Sequence, residues 1–481
     1  MRANSVYQQT PGLRFLSPDQ CEEIFLAALD ILDRIGVRVH EPRGLDLLRK
    51  AGARVDADRC FLSAWLVRQA LSTAPCRVPV ARRDGRPALR LEKGRSYFGT
   101  GSDTQFTYDL SDGQRRLATK QDVANAARIA DGLPHIDFVM SLGLASDMPT
   151  ASCYVHQFEA MVLNTVKPIL YTAADRRDVE DILSIAEAIA GGREALAARP
   201  FLVLYAEPTS PLQHSREAVD KLLLCAQRRV PVMYIPAVML GATAPVTIAG
   251  ALAQINAECL SGLVMHQLAG PGSPFIYGGA APVMDMRTSL CSYGSPELAL
   301  SCAGMISMAR WLNLPVFCTA GCSDAHTIDP QAGLEAGYSV LAMALAGGNL
   351  IHDLGYVGAG MTSSMEMLAL CDEAAGIARY LLAGIEVSPR TLALQTIEQV
   401  GPGGNYMAES HTVENFRSSL HFSSIMNRLE HARWQEAGCT TLQERANRRV
   451  RDILARHKPP ELPAEVVKAV RAIASGRDRG G

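Results

Sequence analysis

The middle of the chain carries eight short apolar runs, each followed by a stretch with helical periodicity. None of the runs alternates cleanly between polar and apolar residues, so each predicts a strand buried on both faces, as parallel strands covered by helices are. The pattern predicts an α/β fold, a (β/α)8 TIM barrel with helical N-terminal and C-terminal extensions. The runs are Tyr97–Ser102, Ile136–Gly143, Pro168–Ala173, Phe201–Glu207, Val230–Ala237, Phe275–Ala280, Pro315–Gly321 and Leu350–Val357.

The chain is longer than a barrel requires. A plain barrel takes about 250 residues, whereas this chain has 481. We predict a helical N-terminal cap over residues 1–95, the barrel over residues 96–385 and a helical extension over residues 386–481. The polar, glycine-rich last ten residues, 472–481, are expected to fray.

The first helix of the cap is predicted to open at Ser17-Pro18-Asp19 and to run to about Ile35. Two more helices are predicted near residues 43–51 and 63–72. These predictions rest on apolar residues at helical spacing.

Charge and composition exclude several classes of function. The formal net charge is −2, and no block of lysine or arginine is long enough to follow a phosphate backbone, which argues against nucleic acid and against a membrane surface. The N-terminus lacks the apolar region of a signal peptide, and the longest apolar stretch, near residues 340–351, is broken by Gly347-Gly348-Asn349. Twelve singly spaced cysteines predict reduced thiols in a soluble cytoplasmic protein, with Cys318 and Cys322 as buried thiols rather than zinc ligands.

Sites in β/α barrels lie at the carboxyl ends of the strands, so residues after each run are the first functional candidates. Asp103 follows the first run, and Glu207 ends the fourth. An unpaired carboxylate is costly to bury, so Glu207 is either paired structurally or directed into the barrel mouth, which we favour. His352 and Asp353 end the eighth run, and the spacing of His352 from Leu350 favours an inward position.

The loop after the seventh run holds Asp324 and His326. A metal ion bound by these two residues and His352 is conceivable. One histidine per strand end without a clear further ligand is a weak ligand set, so we predict no metal site.

Aromatic residues near strand ends offer another kind of site. Two or three of them at one mouth suffice for a cage around a quaternary ammonium, at about 0.5–2 kcal/mol per ring. Phe106 and Tyr356 are our candidates for substrate contact, and Arg287 is a candidate clamp for a substrate carboxylate or a partner of Asp285. The aromatic residues in question are Phe106, Tyr108, Tyr154, Tyr205, Tyr277, Tyr293 and Tyr356.

The chain is not expected to bind its own corrinoid. A cobalamin-carrying domain shows the motif Asp-x-His-x-x-Gly, and the segment from Asp324 to Ile328 comes near it, but Asp329 occupies the glycine position.

Several segments, taken together, resemble the trimethylamine methyltransferase family, and the similarity extends from the helical N-terminus through GTGSDTQFTYDL (99–110) almost to the C-terminus. The resemblance implies a β/α barrel that delivers a methyl group from a methylamine to the cobalt of a separate corrinoid protein. The segments are GATAPVTIAGALAQINAECLSGLVMHQLAGPGSPFIYGG (241–279), DMRTSLCSYGSPELAL (285–300), GCSDAHTIDPQAGLEAG (321–337), LAGGNLIHDLGYVGAGMTSSMEML (345–368) and GPGGNYMAESHTVENF (401–416).

Members of the family that act on trimethylamine carry pyrrolysine in the segment that matches Ser323–His326, where this chain has ordinary residues. The resemblance therefore points to a quaternary amine such as glycine betaine, proline betaine, carnitine or γ-butyrobetaine. Its nitrogen is already cationic, so a neutral amine can leave without prior protonation.

On this hypothesis Glu207 and aromatic groups offset the substrate charge, and Arg287 or His352 holds its carboxylate. Asp324 and His326 then shape the wall that faces the methyl group, and Asp103, Phe106 and Tyr356 contact the substrate. Two other classes stay open: a methylamine-binding barrel without turnover, and a metal-dependent barrel lyase or hydrolase. Homo-oligomers are compatible with all three.

Overall fold

The computed structural model describes residues 12–478 and confirms the barrel. Seven strands form one parallel sheet, in the order first, eighth, seventh, sixth, fifth, fourth and third along the ring. Bridges from Gly99 to Phe138 and from Val139 to Ile169 join the two edges of this sheet, so the second run closes the barrel. In chain order, the barrel strands are Tyr97–Thr100, Ile169–Tyr171, Leu202–Ala206, Val232–Tyr234, Phe275–Gly278, Val316–Thr319 and Leu350–Leu354.

The second run is shorter than predicted, because side chains replace part of its backbone ladder. Asp137 accepts a hydrogen bond from the Phe98 N–H at 2.8 Å. The Thr100 hydroxyl accepts from the Met140 N–H at 2.7 Å and donates to the Met140 carbonyl at 2.8 Å. These contacts hold the second run in the ring although only Phe138 and Val139 form bridges.

A helix follows each strand position and covers the outside of the ring. Polar caps begin several of them; Ser215, Ser295 and Ser364 each accept a hydrogen bond from the first turn of the helix that follows. The helices are Lys120–Gly132, Cys153–Asn164, Arg176–Ala190, Arg216–Arg228, Ile248–Ala269, Pro296–Leu312, Pro330–Ala346 and Met365–Ala383, with a short additional helix at Arg193–Ala198.

The helix Ile248–Ala269 is long and apolar enough to cross a membrane by length and composition. However, 83% of its most apolar window is buried inside the protein. It packs against the N-terminal helices Pro18–Asp30 and Ala64–Thr73 as well as Arg216–Arg228. The helix is therefore apolar on all sides because neighbours surround it, as core helices are.

A small hairpin fills the amino end of the barrel. Its strands are Val78–Ala81 and Pro87–Leu91. Four of its apolar side chains pack against residues of the barrel interior, including Tyr97, Phe138 and Phe317. This end is closed by packed side chains, whereas cavities open among the polar strand ends at the opposite end.

The N-terminal segment contains the three predicted helices, Pro18–Asp30 with a π-helical turn at Ile31–Ile35, Pro42–Lys50 and Ala64–Thr73. It also contains three short strands that form one small sheet, in which Val37–Val39 pairs with Gln213–His214 on one side and with Arg59–Phe61 on the other, and Arg59–Phe61 pairs with Arg54–Asp56. Sequence analysis missed these strands because two or three residues show no periodicity. Tyr97 begins the first barrel strand and Ala383 ends the eighth barrel helix, and the division at residues 96 and 385 stays a prediction.

Helices also dominate the segment after the barrel. The expected fraying from residue 472 is wrong as far as Asp478, because the last helix continues to that residue and buries Arg477 against Asp178 at 3.0 Å. The expectation for residues 479–481 lies outside the described residues. The helices of this segment are Pro389–Leu392, Leu394–Val400, Ser410–Ser419, His431–Glu436, Leu442–Arg456 and Ala464–Asp478.

Candidate active site

The carboxyl ends of the barrel strands surround a cavity of about 530 Å³, which we call the inner cavity. Glu207 directly follows the fourth strand, and Asp353 lies near the end of the eighth. The lining combines phenol and carboxylate groups with a single cationic side chain among the described lining residues. Its members are Ser102, Asp103, Tyr154, Thr172, Ala173, Ala174, Tyr205, Ala206, Glu207, Ser215, Glu217, Ala218, Lys221, Tyr293, Asp353 and Tyr356.

Four tyrosines contribute to this lining. The Tyr205 hydroxyl donates a hydrogen bond to Glu207, and the Tyr356 hydroxyl bonds with the backbone of Ser102. Burial raises the pKa of Tyr154 to about 12. Burial likewise raises the pKa of Tyr205, Tyr293 and Tyr356 well above the ordinary value, so all four phenols are neutral at physiological pH.

Glu207 is reached from the inner cavity but forms no salt bridge within residues 12–478. The protein around the carboxyl group raises its pKa, and the hydrogen bond from Tyr205 and the nearby His352 only partly oppose this effect. The Glu207 side chain is exposed to the cavity and forms no salt bridge in the described residues, so its carboxylate is available to a cation that enters the cavity.

Asp103 has a more complete set of hydrogen bonds. Its carboxylate accepts from the Ser141 hydroxyl at 2.8 Å and from the Gln157 amide at 2.7 Å. Burial still raises the pKa of Asp103, although these hydrogen bonds act in the opposite direction. The side chain is thus fixed in place beside the cavity.

The backbone is strained at two of these carboxylates. Asp103 has φ of 50° and Asp353 has φ of 74°, both in the left-handed region that residues with a side chain seldom adopt. The register between the eighth and first strands shifts between Ile351 and Leu354, so Asp353 lies in a bulge. Bulges and positive φ values of this kind redirect side chains and concentrate near functional sites.

His352 lies behind the inner cavity, inside the barrel. Its ring stacks on Phe317 with centroids 3.9 Å apart. The Nδ1 atom is 2.6 Å from a carboxylate oxygen of Asp353, and Nε2 is 3.0 Å from the Thr319 hydroxyl. The Nδ1 atom has no hydrogen-bond partner of suitable geometry in the described residues, so the ring is held by the Phe317 stack and the Thr319 hydroxyl.

Lys221 is the cationic side chain of the inner cavity. Its ammonium group donates a hydrogen bond to the Ala173 carbonyl at 2.5 Å. Burial lowers the pKa of Lys221, and the nearby carboxylates of Asp178 and Glu207 partly oppose this shift.

A second space of about 880 Å³, the outer cavity, adjoins the inner one. It lies between the hairpin Val283–Asp285/Leu290–Ser292 and the loops after the seventh and eighth strands. Cys291 and Ser292 face the outer cavity, whereas the next residue, Tyr293, lines the inner cavity. The two spaces therefore share one wall.

Three of the residues selected from the sequence line the outer cavity. The Arg287 side chain is 88% exposed and binds Asp285 through contacts of 3.1 and 2.6 Å. His326 is exposed, and its backbone carbonyl accepts a hydrogen bond from the Tyr108 hydroxyl at 2.6 Å.

Asp324, the third of these residues, binds the loop Ser292–Gly294 that separates the two cavities. Its carboxylate accepts from the backbone N–H groups of Tyr293 at 2.8 Å and Gly294 at 3.1 Å, and from the Ser292 hydroxyl. Its position fixes the loop that carries Tyr293 into the inner cavity.

The structure therefore separates the selected residues into groups. Asp103, Glu207 and Tyr356 meet in the inner cavity, whereas Arg287, Asp324 and His326 lie around the outer one. His352 lies behind the inner cavity. Phe106 lies in the short strand Phe106–Tyr108, with the Arg115 guanidinium 3.5 Å from its ring centroid.

Sequence analysis did not identify Lys221 as a site residue. The sequence feature that could have revealed it is its place among the apolar positions of the helix Arg216–Arg228, where Val219, Leu222 and Leu223 are buried. A lysine there predicts either a snorkelling surface residue or a buried cation, and helical periodicity alone does not separate the two.

Asp324, His326 and His352 do not form a common ligand set, because the first two line the outer cavity and His352 packs on Phe317. Within residues 12–478, no group of three or more His, Cys, Asp or Glu side chains has the spacing to hold a metal ion.

The fold and the candidate site define a β/α-barrel protein with a cavity, rich in phenol and carboxylate groups, that opens at the carboxyl ends of the strands. A sequence profile of the family described as trimethylamine methyltransferase (MTTB) matches residues 1–481. The chain belongs to this family and is a methyltransferase.

Curated relatives agree with this assignment. The chain is 30% identical to trimethylamine methyltransferase MttB of Desulfitobacterium hafniense DCB-2, over 96% of this chain and 93% of that protein. It is 29% identical to glycine betaine methyltransferase of Desulfitobacterium hafniense Y51, over 98% of each chain. It is 32% identical to trimethylamine methyltransferase MttB2 of Methanosarcina mazei, over 97% of this chain and 96% of that protein.

Among solved structures, the alignment with the monomethylamine methyltransferase of Methanosarcina barkeri covers 99% of this chain and 96% of that enzyme's chain. The sequence identity is 11% and the TM-score is 0.46. The family and the three relatives compared by sequence are methyltransferases, so neither a binding protein without turnover nor a metal-dependent lyase or hydrolase is favoured.

Proposed function

We propose that this chain transfers a methyl group from a quaternary amine of the betaine type to the cobalt of a corrinoid that a separate protein carries. The observation that carries the proposal is the inner cavity, where four tyrosines meet the unpaired carboxylate of Glu207. The names of relatives include both trimethylamine and glycine betaine methyltransferases, so the cavity decides our choice between these substrates.

Recognition of the ammonium follows from the charges of the lining. Each ring face attracts a desolvated cation with about 0.5–2 kcal/mol. Glu207, Asp103 and Asp353 add negative charge without requiring a hydrogen-bond donor from the substrate. A quaternary nitrogen has no N–H to donate, and a lining that attracts charge alone suits it.

Recognition of the substrate carboxylate requires a cation in the same cavity. Lys221 meets this requirement, whereas Arg287 is paired with Asp285 in the outer cavity and His352 lies behind the wall. We therefore assign the carboxylate of a betaine to Lys221.

The reaction needs little from the chain beyond orientation. A quaternary amine leaves as a neutral tertiary amine, so no acid has to protonate its nitrogen. The loop from Ser323 to His326 is consistent with this, because Ser323 donates to Glu335 at 2.6 Å and Asp324 binds the neighbouring loop. Holding two reactants in an attack geometry contributes about 7–11 kcal/mol to such a transfer.

A corrinoid in its Co(I) state supplies the nucleophile when the partner is bound. The outer cavity supports docking at the mouth, because it opens beside the inner cavity and carries the exposed apolar side chains of Met286, Leu290 and Met361. Such side chains around a polar cavity are typical of a protein-binding rim. All twelve cysteines are free, which supports a reducing, cytoplasmic location.

The test is a screen of amines for methylation of a reduced corrinoid protein. Glycine betaine, proline betaine, carnitine and γ-butyrobetaine would be compared with trimethylamine at equal concentrations. We expect at least one quaternary amine to be used many times faster than trimethylamine. Efficient transfer from trimethylamine alone would contradict the proposal.

A further inference from the structure

The ammonium of Lys221 has a single anchor at the inner cavity. Lys221 is buried on the helix Arg216–Arg228, and its Nζ atom donates a hydrogen bond to the Ala173 carbonyl at 2.5 Å. An ammonium group has three N–H donors. Within residues 12–478 this one makes no further hydrogen bond and no salt bridge, so two donors remain for a ligand in the cavity.

The anchor belongs to a peptide unit that is also held on its other side. The Asp178 carboxylate accepts a hydrogen bond from the Ala174 N–H at 3.0 Å. The Ala173 carbonyl and the Ala174 N–H are the two polar groups of one planar trans peptide, and they point in opposite directions. Because the unit is rigid, the hydrogen bond from its N–H to Asp178 fixes the direction of its carbonyl.

The peptide between Ala173 and Ala174 has no other support from secondary structure. It follows the strand Ile169–Tyr171 and precedes the helix Arg176–Ala190. Within the described chain, its two polar groups take no part in backbone hydrogen bonds. Both alanines line the inner cavity, so a rotation of this peptide would move the anchor of the ammonium.

Asp178 itself is held firmly. The residue is 2% exposed, and the oxygen that does not bind the peptide accepts a hydrogen bond from Arg477 at 3.0 Å. Arg477 is buried at the end of the last helix and also donates to the Ala151 carbonyl at 3.0 Å. Both carboxylate oxygens of Asp178 are therefore occupied, which prevents the side chain from turning away from the peptide.

The signs of charge agree along this series of contacts. The positive guanidinium of Arg477 meets the negative carboxylate of Asp178, which meets the positive end of the peptide dipole. The negative end of the same dipole meets the ammonium of Lys221. Hydrogen bonds that follow one another in this order polarise and strengthen each other away from water.

We propose that Asp178, held by Arg477, is a positioning residue of the inner cavity. It fixes the peptide between Ala173 and Ala174, and this peptide places the Lys221 ammonium where the carboxylate of a betaine binds. The assignment rests on the proposed function, which supplies the substrate carboxylate. Asp178 thereby favours amines that carry a carboxylate over amines that lack one.

The experiment compares two double variants, Asp178→Asn/Arg477→Met and Asp178→Leu/Arg477→Met. Both remove the buried ion pair, and replacing such a pair by uncharged side chains of similar volume is often neutral for stability. Asn and Leu have a similar branched shape, but only Asn keeps an oxygen that accepts from the Ala174 N–H. The two variants therefore differ in the hydrogen bond on which the proposal depends.

Binding of glycine betaine and of choline is measured by calorimetric titration. The Asn variant should keep the ratio of betaine to choline affinity of the natural protein. In the Leu variant the betaine affinity should fall about fivefold to tenfold, as expected when one charged hydrogen bond is misplaced, whereas the choline affinity should not change. Equal ratios in the two variants would overturn the proposal. So would an equal loss of both amines in the Leu variant, which a purely structural role predicts.

The control variant Asp478→Asn weakens the same end of the last helix. Asp478 contacts Ser152 at 2.6 Å and His156 at 3.0 Å, and it does not contact the peptide that anchors Lys221. This variant should keep the natural ratio of betaine to choline affinity. A changed ratio would show that the ratio reports on the attachment of the helix and would overturn the proposal.

A second measurement needs no amine. Acylation of Lys221 by acetic anhydride is followed by mass spectrometry, with the exposed Lys50 as internal reference. Loss of the carbonyl acceptor disfavours the protonated ammonium, so Lys221 should react faster in the Leu variant than in the Asn variant at the same pH. If the Leu variant does not fold, Asp178→Ala/Arg477→Met takes its place, since it also lacks the acceptor.

The two measurements separate this proposal from the proposed function. Equal acylation rates in the two double variants would overturn the role of Asp178, whatever the substrate is. A natural protein that binds neither betaine nor choline would contradict the proposed function, and acylation alone would then decide whether Asp178 positions Lys221.

Discussion

Glu207 combines two properties that rarely occur together in a structural carboxylate. Its pKa is raised by the surrounding protein, and it accepts a hydrogen bond from Tyr205 without a salt bridge in the described part of the chain. Because the folded protein holds the proton more tightly than the unfolded chain does, this group adds stability only in its protonated form. That stability is lost as the pH rises through the raised pKa.

The variant Glu207→Gln should weaken binding of both glycine betaine and choline by about 1–3 kcal/mol, because a charge-assisted contact to the ammonium is lost. Its melting temperature at neutral pH should stay the same or rise, since the raised pKa means that the folded protein disfavours the charged form of this group. Calorimetric titration and thermal unfolding of the same preparation check both results. A lower melting temperature with unchanged affinity would exclude Glu207 from the site.

The variant Lys221→Met serves as the counterpart in the same experiment. It should weaken binding of glycine betaine but not of choline, which has no carboxylate.

The natural protein should also bind betaine less tightly as the pH falls through the raised pKa values of Glu207 and Asp103, because protonation removes their charge. Glu207→Gln should show a smaller dependence on acid pH.

At the scale of elements, the last helix shows how a polar segment becomes an ordered part of the fold. The Arg477 side chain is only 6% exposed and lies 3.0 Å from Asp178 on the helix Arg176–Ala190. The neighbouring Asp478 contacts His156 at 3.0 Å on another barrel helix. The helix Ala464–Asp478 is thus tied to two helices of the barrel at its very end.

The variant Arg477→Met should lower the free energy of unfolding by about 3–5 kcal/mol, because it leaves Asp178 buried without its partner. Burial already raises the pKa of Asp178, and loss of Arg477 should raise it further. The defect should therefore shrink as the pH falls and Asp178 takes up a proton. Urea unfolding at several pH values checks this, with the exposed Arg471→Met as control. Equal stability of the two variants would show that the buried pair does not hold the helix.

For the whole molecule, the barrel separates three surfaces. The hairpin Val78–Ala81/Pro87–Leu91 closes the amino end, the cavities open at the carboxyl end, and the helices after the barrel cover part of the flank. On the proposed function, substrate and corrinoid protein meet at one end of the molecule. The hydrogen bonds from Arg477 through Asp178 to the Ala174 N–H connect the last helix to the same end.

The chain purified without its partner should contain neither corrinoid nor stoichiometric zinc. The sequence has Asp329 where a cobalamin-carrying motif has glycine, and the described residues hold no cluster of metal ligands. Absorption spectroscopy and metal analysis of the purified protein check this expectation. A cobalamin spectrum that persists through purification would contradict it.

The sequence by itself determined the barrel and the end of the barrel at which the cavities open. A strand buried on both faces needs consecutive apolar residues, so each strand of the ring left a local signal, and Glu207 followed one of them directly. Even the second run was placed correctly. Its length was overestimated, because hydrogen bonds from Asp137 and Thr100 replace backbone pairing between residues far apart in sequence.

Only the tertiary structure decided which strand-end residues share a cavity. Asp324 binds the loop of Tyr293, Arg287 binds Asp285, and Lys221 reaches the inner cavity from a helix. These outcomes depend on loop paths and on partners distant in the chain, which leave no periodic signal. The ordered helix end at Arg477 could not be predicted for the same reason, since its partner Asp178 lies 299 residues away in the sequence. Local patterns specify elements, whereas the contacts that assemble a site form only once the chain has folded.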